Sequence, residues 1–299
     1  NESYGYSKFD SSHKPVSHFI RLMANAASRG GNLLMNIGPE GNGSIDPRDT
    51  AILQGIGRWM QVNAESIYGT GAGPLPFQSW GACTRKGDKL YLHVFDRPAD
   101  GKLYVGGLES TPANACFLAE PAKHLPFKRI NDKDIVIQLP ARLPDSANTV
   151  IVLTLKNDLR TDSIRYVSSN IESTRLLAFD AILQGNGFAF GDGKTDRYYV
   201  EGWKDKTQYV GWRFRTGSAT TFKVLIKYLA GEESGGSYRF EEDGQGSDEK
   251  TVRVSKGVIT EELGLWSAAA GTHSLAIKPV SITKGSLMKL LEVQLVPVK

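Results

Sequence analysis

Cysteine, long apolar runs and concentrated charge are all scarce in this sequence, and each scarcity excludes a class of protein. Only Cys83 and Cys116 occur among 299 residues, which is too few for a disulfide scaffold, and their spacing fits no metal motif. The two cysteines either pair or are both small core residues. No apolar run is long enough to predict a span of the membrane. The net charge is +4, but the basic residues form no patch of the kind that binds nucleic acid.

Ligand-like histidine spacing and an initiating methionine are missing as well. The sequence predicts no metal site and no cofactor, because none of the histidines is spaced as metal ligands are; they are His13, His18, His93, His124 and His273. The chain begins at Asn1, and no signal peptide precedes it. We interpret that start as a processed, truncated or proteolysed end.

Residues 1–72 have the pattern of an α/β unit. Apolar residues recur at three- and four-residue steps over 14–29, which predicts a helix that Gly30 and Gly31 terminate. An apolar strand is then predicted over 32–37. A second helix begins at Asp46, the N-cap, and runs to about Asn63. One such unit cannot complete a parallel sheet or barrel, so we expect the sequence to be the tail of something larger.

From residue 73 onward the pattern changes to short strands separated by turn residues, which is typical of antiparallel sandwiches. In the segment 73–158 strands are predicted over 90–95, 103–105, 135–139 and 150–155. The polar stretch 156–162 is the expected boundary. In the segment 163–299 strands are predicted over 198–200, 209–214, 222–228, 251–254, 271–277 and 291–295, with a glycine- and acid-rich loop over 231–250.

Ordered motifs over about residues 1–157 resemble the retaining α-L-fucosidases, glycoside hydrolase family 29. The motifs are Ser3-Tyr4-Gly5-Tyr6, the run Gly30 to Pro39 (GGNLLMNIGP), Gly41-Asn42-Gly43, Ile56-Gly57-Arg58-Trp59 and Ala64-Glu65-Ser66-Ile67-Tyr68-Gly69-Thr70. The resemblance implies a mixed fold. Residues 1–72 would be the terminal helix-strand-helix part of a (β/α)₈-like catalytic barrel, and 73–158 the β-sandwich that follows it in the family. A second β-sandwich would occupy 163–299.

The same resemblance implies that the catalytic carboxylates lie upstream. Retaining hydrolysis uses one carboxylate as nucleophile and another as acid and then base. The nucleophilic Asp and the acid/base Glu have no counterpart here, and Glu2 stands too close to the Ser-aromatic-Gly-Tyr motif to serve. No catalytic residue is therefore assigned. Tyr4 is the candidate substrate-binding residue, because the family's aromatic at this position lines the sugar pocket; the alternative is a packing aromatic at the barrel end.

Three other features near this motif are predicted to be structural. Glu40 follows the strand where a barrel binds ligands, but Pro-Glu-Gly-Asn-Gly is good turn chemistry, and the turn is favoured. Asn36, inside the predicted strand, is expected to make structural hydrogen bonds. The Gly41-Asn42-Gly43 loop could suggest an anion site, but Asp46 and Asp49 already place negative charge at the next helix terminus.

The segment 163–299 resembles galactose-binding-type β-sandwiches in its strand order and its Gly-Thr-His-Ser-Leu sequence, which makes it a candidate carbohydrate-binding module. Trp203, Trp212 and Trp266 are candidate sugar-stacking residues, and packing in the core is the alternative. The acidic residues 241–244 either hold Ca²⁺ or form a solvated loop, and they lack the spacing of a defined calcium loop.

Taken together, the resemblance implies the C-terminal part of an α-L-fucosidase that removes terminal α-L-fucose from glycans with retention of configuration. Its expected partners are fucosylated glycans and an upstream catalytic barrel segment, and this chain alone is expected to be inactive. The glycan substrate class implies export to a periplasmic, extracellular or lysosomal-type location. The alternative is a non-catalytic carbohydrate-binding or scaffolding fragment. An independent hydrolase is disfavoured because no other pair of carboxylates can be placed.

Overall fold

The computed structural model of the chain describes residues 5–298 and divides into two compact units, residues 1–163 and 164–299. The first unit contains two α-helices, α1 (Val16–Ser28) and α2 (Pro47–Asn63), and a 3₁₀ turn (Ala64–Ser66). Its strands are β1 (Gly71–Ala72), β2 (Gly81–Lys86), β3 (Lys89–Val94), β4 (Lys102–Val105), β5 (Pro112–Phe117), β6 (Phe127–Arg129), β7 (Ile135–Gln138) and β8 (Thr149–Leu155).

The second unit is almost entirely β-sheet. Its strands are β9 (Arg165–Tyr166), β10 (Thr174–Leu177), β11 (Ile182–Gln184), β12 (Ala189–Phe190), β13 (Val200–Glu201), β14 (Tyr209–Thr216), β15 (Thr220–Leu229), β16 (Gly236–Glu242), β17 (Gln245–Gly246), β18 (Lys250–Thr251), β19 (Ile259–Ala268), β20 (Gly271–Ile282) and β21 (Lys289–Pro297). A 3₁₀ turn spans Ala178–Asp180.

The second helix begins and ends where the sequence predicts, and the first lies within the predicted range 14–29 but begins at Val16. Asp46 caps α2 by accepting a hydrogen bond from the backbone N–H of Arg48 at 2.8 Å, and Pro47 is the first helical residue. At the end of α1, Gly30 has a φ of +70° and Gly31 donates to the carbonyl of Ala26 at 2.9 Å. This is the reversal that lets a helix satisfy its last carbonyl groups.

The strand predicted over 32–37 is not formed, and that prediction is wrong. Residues 31–40 have no regular structure, and the side chain of Leu34 is 93% exposed. A β-strand needs a neighbour to pair its backbone groups. None of the described strands pairs with this segment, because every strand of the first unit belongs to one of its two antiparallel sheets.

The first sandwich consists of a five-stranded sheet, in the order β1-β2-β3-β8-β5, and a three-stranded sheet, in the order β4-β7-β6. Apolar side chains from both sheets form one buried cluster between them, including Leu92, Leu103, Phe117, Ile137 and Leu153. A second cluster joins the helices to the other face of the five-stranded sheet. It contains Ile20, Ile56 and Trp59 from the helices and Tyr91, Cys116, Val150 and Val152 from the strands.

Two larger sheets form the second sandwich. One has the order β12-β13-β21-β15-β19, with β10 on β21, and the other the order β11-β14-β20-β16-β17, with β18 on β16 and β9 on β14. The central strand β15 shows why the sequence folds in this way. Phe222, Val224, Ile226 and Tyr228 are buried at two-residue steps, and the side chains between them face away from the core.

The second unit also corrects the sequence prediction in two places. The segment 231–250 contains the strand Gly236–Glu242, because Tyr238 and Phe240 are buried in the core on either side of the exposed Arg239. The ten-residue strand Ile259–Ala268 was not predicted, although it pairs with β15 along its length. The strands predicted over 198–200 and 251–254 are reduced to the residue pairs Val200–Glu201 and Lys250–Thr251.

Candidate functional site

Two of the sequence motifs meet at the amino-terminal side of the first unit. A side-chain carbon added at Gly38 would lie 2.3 Å from the backbone nitrogen of Tyr6 and 2.6 Å from the carbonyl carbon of Gly5. Only glycine permits so close an approach of two backbones. The backbone of Gly5 and Tyr6, the described half of the Ser-Tyr-Gly-Tyr motif, therefore lies directly against Gly38 of the Ile-Gly-Pro motif. Tyr4, the candidate substrate-binding residue, lies outside the described residues.

Side chains of the protein itself surround the amino-terminal end of α2, which lies next to these motifs in the sequence. Asp46 receives a hydrogen bond from Arg48 Nη2 at 2.6 Å, in addition to the backbone cap. These hydrogen bonds from Arg48 hold the pKa of the Asp46 carboxyl well below its usual range. His13 Nε2 lies 3.3 Å from Asp49 Oδ1 in the same turn. The carboxylates of Asp46 and Asp49 supply the negative charge at this helix terminus, as the sequence predicts.

Glu40 and Asn42 close the loop between Gly38 and Asp46. The backbone N–H of Glu40 donates to Ser44 at 2.8 Å, and Gly43 donates to the carbonyl of Glu40 at 2.9 Å. Asn42 Oδ1 accepts from both the N–H and the hydroxyl of Ser44, at 2.9 and 2.7 Å. These contacts are those of a turn. Asn36 is exposed in the irregular segment, so the expectation of a buried strand position is wrong.

A set of buried hydrogen bonds around His93 fixes α2 to the sandwich, and the sequence analysis did not predict it. His93 on β3 is fully buried; its Nε2 lies 3.3 Å from Thr84 Oγ1, and its Nδ1 lies 3.1 Å from Asn148 Nδ2. Thr84 Oγ1 donates to the carbonyl of Ser66 at 2.7 Å, and Trp59 Nε1 donates to the carbonyl of Asn148 at 2.9 Å. The side-chain amide of Asn148 therefore donates to His93 Nδ1. Because the Thr84 hydroxyl donates to Ser66, its oxygen accepts from His93 Nε2, which carries the imidazole hydrogen.

Burial lowers the pKa of His93 to about 4, so the ring is neutral at physiological pH. The signal that could have identified it is its position in the strand Leu-Tyr-Leu-His-Val, where a polar residue stands in a run of buried side chains. A buried polar group in such a run requires partners.

Two charged side chains extend the same junction towards solvent. Glu65 accepts from Tyr91 Oη at 2.5 Å and from Lys89 Nζ at 2.8 Å. Arg21 on α1 donates to the carbonyls of Ala147, at 2.9 Å, and Phe95, at 2.5 Å. The 3₁₀ turn after α2 is thereby hydrogen-bonded to β3, and α1 is hydrogen-bonded to the residues that follow β3 and precede β8.

The three candidate sugar-stacking tryptophans lie in the core of the second unit. Trp203, Trp212 and Trp266 are all buried and belong to its central apolar cluster. Trp212 Nε1 donates to the carbonyl of Leu177 at 2.9 Å, and Trp266 packs edge-on against Phe214 with ring centroids 5.7 Å apart. None of the three rings presents a face to solvent, so the structure places them according to the core-packing alternative.

The acidic residues 241–244 end a strand and form a hairpin turn. Asp243 and Gly244 have φ values of +48° and +82°, and Asp243 Oδ2 lies 2.7 Å from His273 Nδ1. Glu241 pairs with Lys278 at 2.6 Å. Burial and the neighbouring Asp243 raise the pKa of Glu242 to about 7. Within residues 5–298, no three His, Cys, Asp or Glu side chains are grouped in a way that could hold a metal ion.

Cys83 and Cys116 are both buried free thiols, so the structure places them as core residues. In the part of the chain that the structure describes, neither helix is long and apolar enough to cross a bilayer.

Known proteins similar to this chain are α-L-fucosidases. Residues 1–65 match the α-L-fucosidase family. An α-L-fucosidase of Branchiostoma floridae is 33% identical over 135 residues, which cover 42% of this chain and 28% of that protein. The tissue α-L-fucosidase of Homo sapiens is 27% identical over 145 residues, covering 47% of this chain and 31% of that protein. The chain thus spans about 30% of the length of these curated relatives.

A solved structure matches nearly the whole chain. The crystal structure of α-L-fucosidase from Vibrio sp. strain EJY3 covers 99% of this chain with a TM-score of 0.71 at 23% sequence identity, and the match covers 53% of that protein. At this identity the similarity shows the fold. The resemblance found in the sequence motifs is confirmed, since family, relatives and fold agree. Residues 1–65 match the α-L-fucosidase family, and the chain is partial relative to the α-L-fucosidases that it resembles.

Proposed function

We propose that this chain is the C-terminal part of an α-L-fucosidase that hydrolyses terminal α-L-fucose from glycans with retention of configuration. In the proposed arrangement, residues 1–72 are the last elements of the catalytic barrel and 73–158 are the sandwich that follows it. Residues 163–299 form an additional galactose-binding-like domain. The nucleophilic Asp and the acid/base Glu lie on an upstream barrel segment, so this chain alone does not turn over substrate.

The observation that carries the proposal is an uncovered apolar surface on the fucosidase-like segment. Leu34 is 93% exposed and Phe9 is 86% exposed, and Tyr6, Met35 and Ile45 are exposed as well. The segment around Leu34 has the sequence of a buried strand but pairs with none of the described strands. Several large apolar side chains left exposed within one short part of the chain are typical of a surface that another segment covers. An upstream barrel segment would supply strands that pair with residues 32–37, and it would bury the exposed apolar side chains.

The buried hydrogen bonds around His93, between α2 and the sandwich, fit the proposed arrangement. They fix α2 to the sandwich, so the sandwich can hold the last barrel helices in place. In the proposed enzyme Tyr4 lines the fucose pocket, and Gly38 holds the backbone of the adjoining residues against the end of the GGNLLMNIGP run. Fucosylated glycans are the substrates, and export to a periplasmic, extracellular or lysosomal-type compartment follows from that substrate class.

Complementation tests the proposal. The pure 299-residue chain is assayed with an aryl α-L-fucoside, alone and after mixing with a separately produced upstream barrel segment of the parent protein. We expect no turnover by the chain alone and activity in the mixture. A matched mixture containing Leu34→Asp should be inactive, because a charge on the uncovered surface opposes docking. Turnover by the chain alone, or a mixture that neither associates nor hydrolyses, would refute the assignment.

The alternative is a non-catalytic carbohydrate-binding or scaffolding fragment. Failure to associate with an upstream segment, together with saturable glycan binding by the whole chain, would favour it. Trp203, Trp212 and Trp266 are buried, which gives no support to a tryptophan platform for that alternative.

A further inference from the structure

Two sequence features of the second unit that the proposed function does not use lie against each other in the fold. The acidic turn, Asp243-Gly244, joins β16 to β17, and the Gly-Thr-His-Ser-Leu sequence begins β20 with His273 at its centre. Asp243 Oδ2 lies 2.7 Å from His273 Nδ1, and Asp243 Oδ1 accepts from the backbone N–H of Ser274 at 2.7 Å. The acidic turn is therefore fixed to the start of β20.

Both ring nitrogens of His273 face atoms that only accept hydrogen bonds. Nδ1 faces the Asp243 carboxylate, and Nε2 lies 2.8 Å from the backbone carbonyl oxygen of Ala269, in the turn Ala269-Ala270 between β19 and β20. A neutral imidazole carries one hydrogen and donates to only one of these acceptors, whereas the imidazolium donates to both. The ring therefore completes both hydrogen bonds only when it is protonated.

The carboxyl group of Asp243 does not supply the missing hydrogen. Burial acts to raise the pKa of this carboxyl, but hydrogen bonds from His273 and Ser274 outweigh burial and lower it, so the ionised group only accepts. When the ring of His273 is neutral, its single hydrogen stays on Nδ1, because a hydrogen bond to an ionised group is the stronger of the two. The lone pair of Nε2 then faces the carbonyl of Ala269, and that hydrogen bond is lost.

Aromatic rings pack against the other sides of His273. Trp266 on β19 packs edge-on against the imidazole, with ring centroids 5.1 Å apart, and the ring of Phe214 on β14 lies 5.9 Å away. Arg213 and Arg215 flank Phe214 along β14, so their side chains point to the opposite face of the sheet. The charge that the imidazole contacts therefore comes from the acidic turn.

Glu242 also titrates near neutrality, but its charge acts on the acidic turn. Burial and the Asp243 carboxylate raise the pKa of Glu242 to about 7. The preceding residue, Glu241, forms an ion pair with Lys278 at 2.6 Å. Because the hydrogen bond that a neutral His273 loses is to the other turn, the titrations of Glu242 and His273 can be separated by substitution.

We propose that His273 is a pH-dependent link between two turns of the second unit: as an imidazolium it joins Ala269-Ala270 to the acidic turn, and as a neutral imidazole it releases Ala269-Ala270. Histidine changes its charge between about pH 5 and pH 8, so the link is complete in acid and is lost as the pH rises through that range. The carbonyl of Ala269 keeps its hydrogen bond from Thr216 Oγ1, so release loosens the turn without unfolding the sandwich.

Hydrogen exchange of the full 299-residue chain, resolved by mass spectrometry, measures the release. Protection of the peptide that contains Ala269-Ala270 is compared at about pH 5 and about pH 8, after correction for the intrinsic pH dependence of exchange. His273→Gln removes the titrating ring, and Asp243→Asn removes the carboxylate at a φ of +48°, which asparagine tolerates. The controls are Glu242→Gln, which removes the neighbouring carboxyl, and His124→Gln, at an exposed histidine of the first unit.

We expect protection of the Ala269-Ala270 turn in the parent chain to fall about tenfold between the two pH values, as for one lost hydrogen bond from a charged group. Protection in His273→Gln should not depend on pH, and Glu242→Gln and His124→Gln should show the same fall as the parent. Long-range proton–nitrogen NMR should show that His273 keeps both ring hydrogens to a higher pH in the parent than in Asp243→Asn.

Equal protection of the parent at both pH values would overturn the proposal, as would a fall that persists in His273→Gln or disappears in Glu242→Gln. Loss of the second ring hydrogen at the same pH in the parent and in Asp243→Asn would also overturn it, and this comparison decides the matter if His273→Gln does not fold. The link lies within the second unit, so none of these outcomes affects the complementation assay and the two proposals fail independently.

Discussion

Acidification should destabilise the first unit through His93. Burial lowers the pKa of this ring to about 4 from an ordinary value of 6.5. The folded state therefore keeps the ring neutral where the unfolded chain takes up a proton. The stability contribution is fully present above pH 6.5 and is lost as the pH falls towards 4. At 1.36 kcal/mol per pH unit, the loss amounts to about 3 kcal/mol.

Urea unfolding followed by tryptophan fluorescence between pH 7 and pH 4 measures this loss. His93→Gln removes the titrating group and retains an amide that can donate to Thr84. It should be less stable than the parent at pH 7, and its free energy of unfolding should fall less with acidification, by up to about 3 kcal/mol. His124→Gln is the control, because His124 is an exposed histidine of the same unit. Equal pH slopes for the parent and His93→Gln would refute the reasoning.

Three further outcomes are expected. Gly38→Ala should increase proteolysis of the amino-terminal segment, because its side chain would overlap the opposing backbone; Gly41→Ala, with open space around it, should not. Trp203→Ala should lower the free energy of unfolding of the second unit by about 3–5 kcal/mol in urea titration, and a surface role would leave it unchanged. Tyr91→Phe should cost about 1–3 kcal/mol in the same assay through the lost bond to Glu65, and no loss would contradict that contact.

Local signals in the sequence were sufficient to predict those elements whose own residues supply their caps or their buried apolar side chains. The Asp46-Pro47 start of α2 and the Gly30-Gly31 end of α1 carry their own capping chemistry, so both helices are where the sequence predicts. The strand from Val150 onward is buried on both faces, and its apolar run identified it.

Elements that depend on distant partners were missed or misjudged. The segment 32–37 has a strand sequence but no neighbour to pair with. The strand Gly236–Glu242 was hidden by its flanking glycines and acids, although pairing with β20 and burial of Tyr238 stabilise it. The hydrogen bond between Asn148 and His93 joins residues that are 55 positions apart in the sequence, which no local pattern reveals.

The candidate site was predictable only in part, for the same reason. The motifs around Tyr6 and Gly38 were recognised separately, but their backbone contact is a tertiary property. The tryptophans of the second unit could not be assigned from composition, because an aromatic residue serves equally well in a core or on a binding surface.

The apolar cluster that joins α1 and α2 to the sandwich also sets the order of events during synthesis. Trp59 leaves the ribosome well before Val150 and Val152, which cover it in the folded unit. At about 5–20 residues per second, the roughly 90 intervening residues take about 5–20 s to appear. Throughout that interval the two nascent helices lack the strands that complete their packing. The amino-terminal part of the unit must therefore wait for its carboxyl-terminal strands, and it is during this delay that chaperone binding would be most useful.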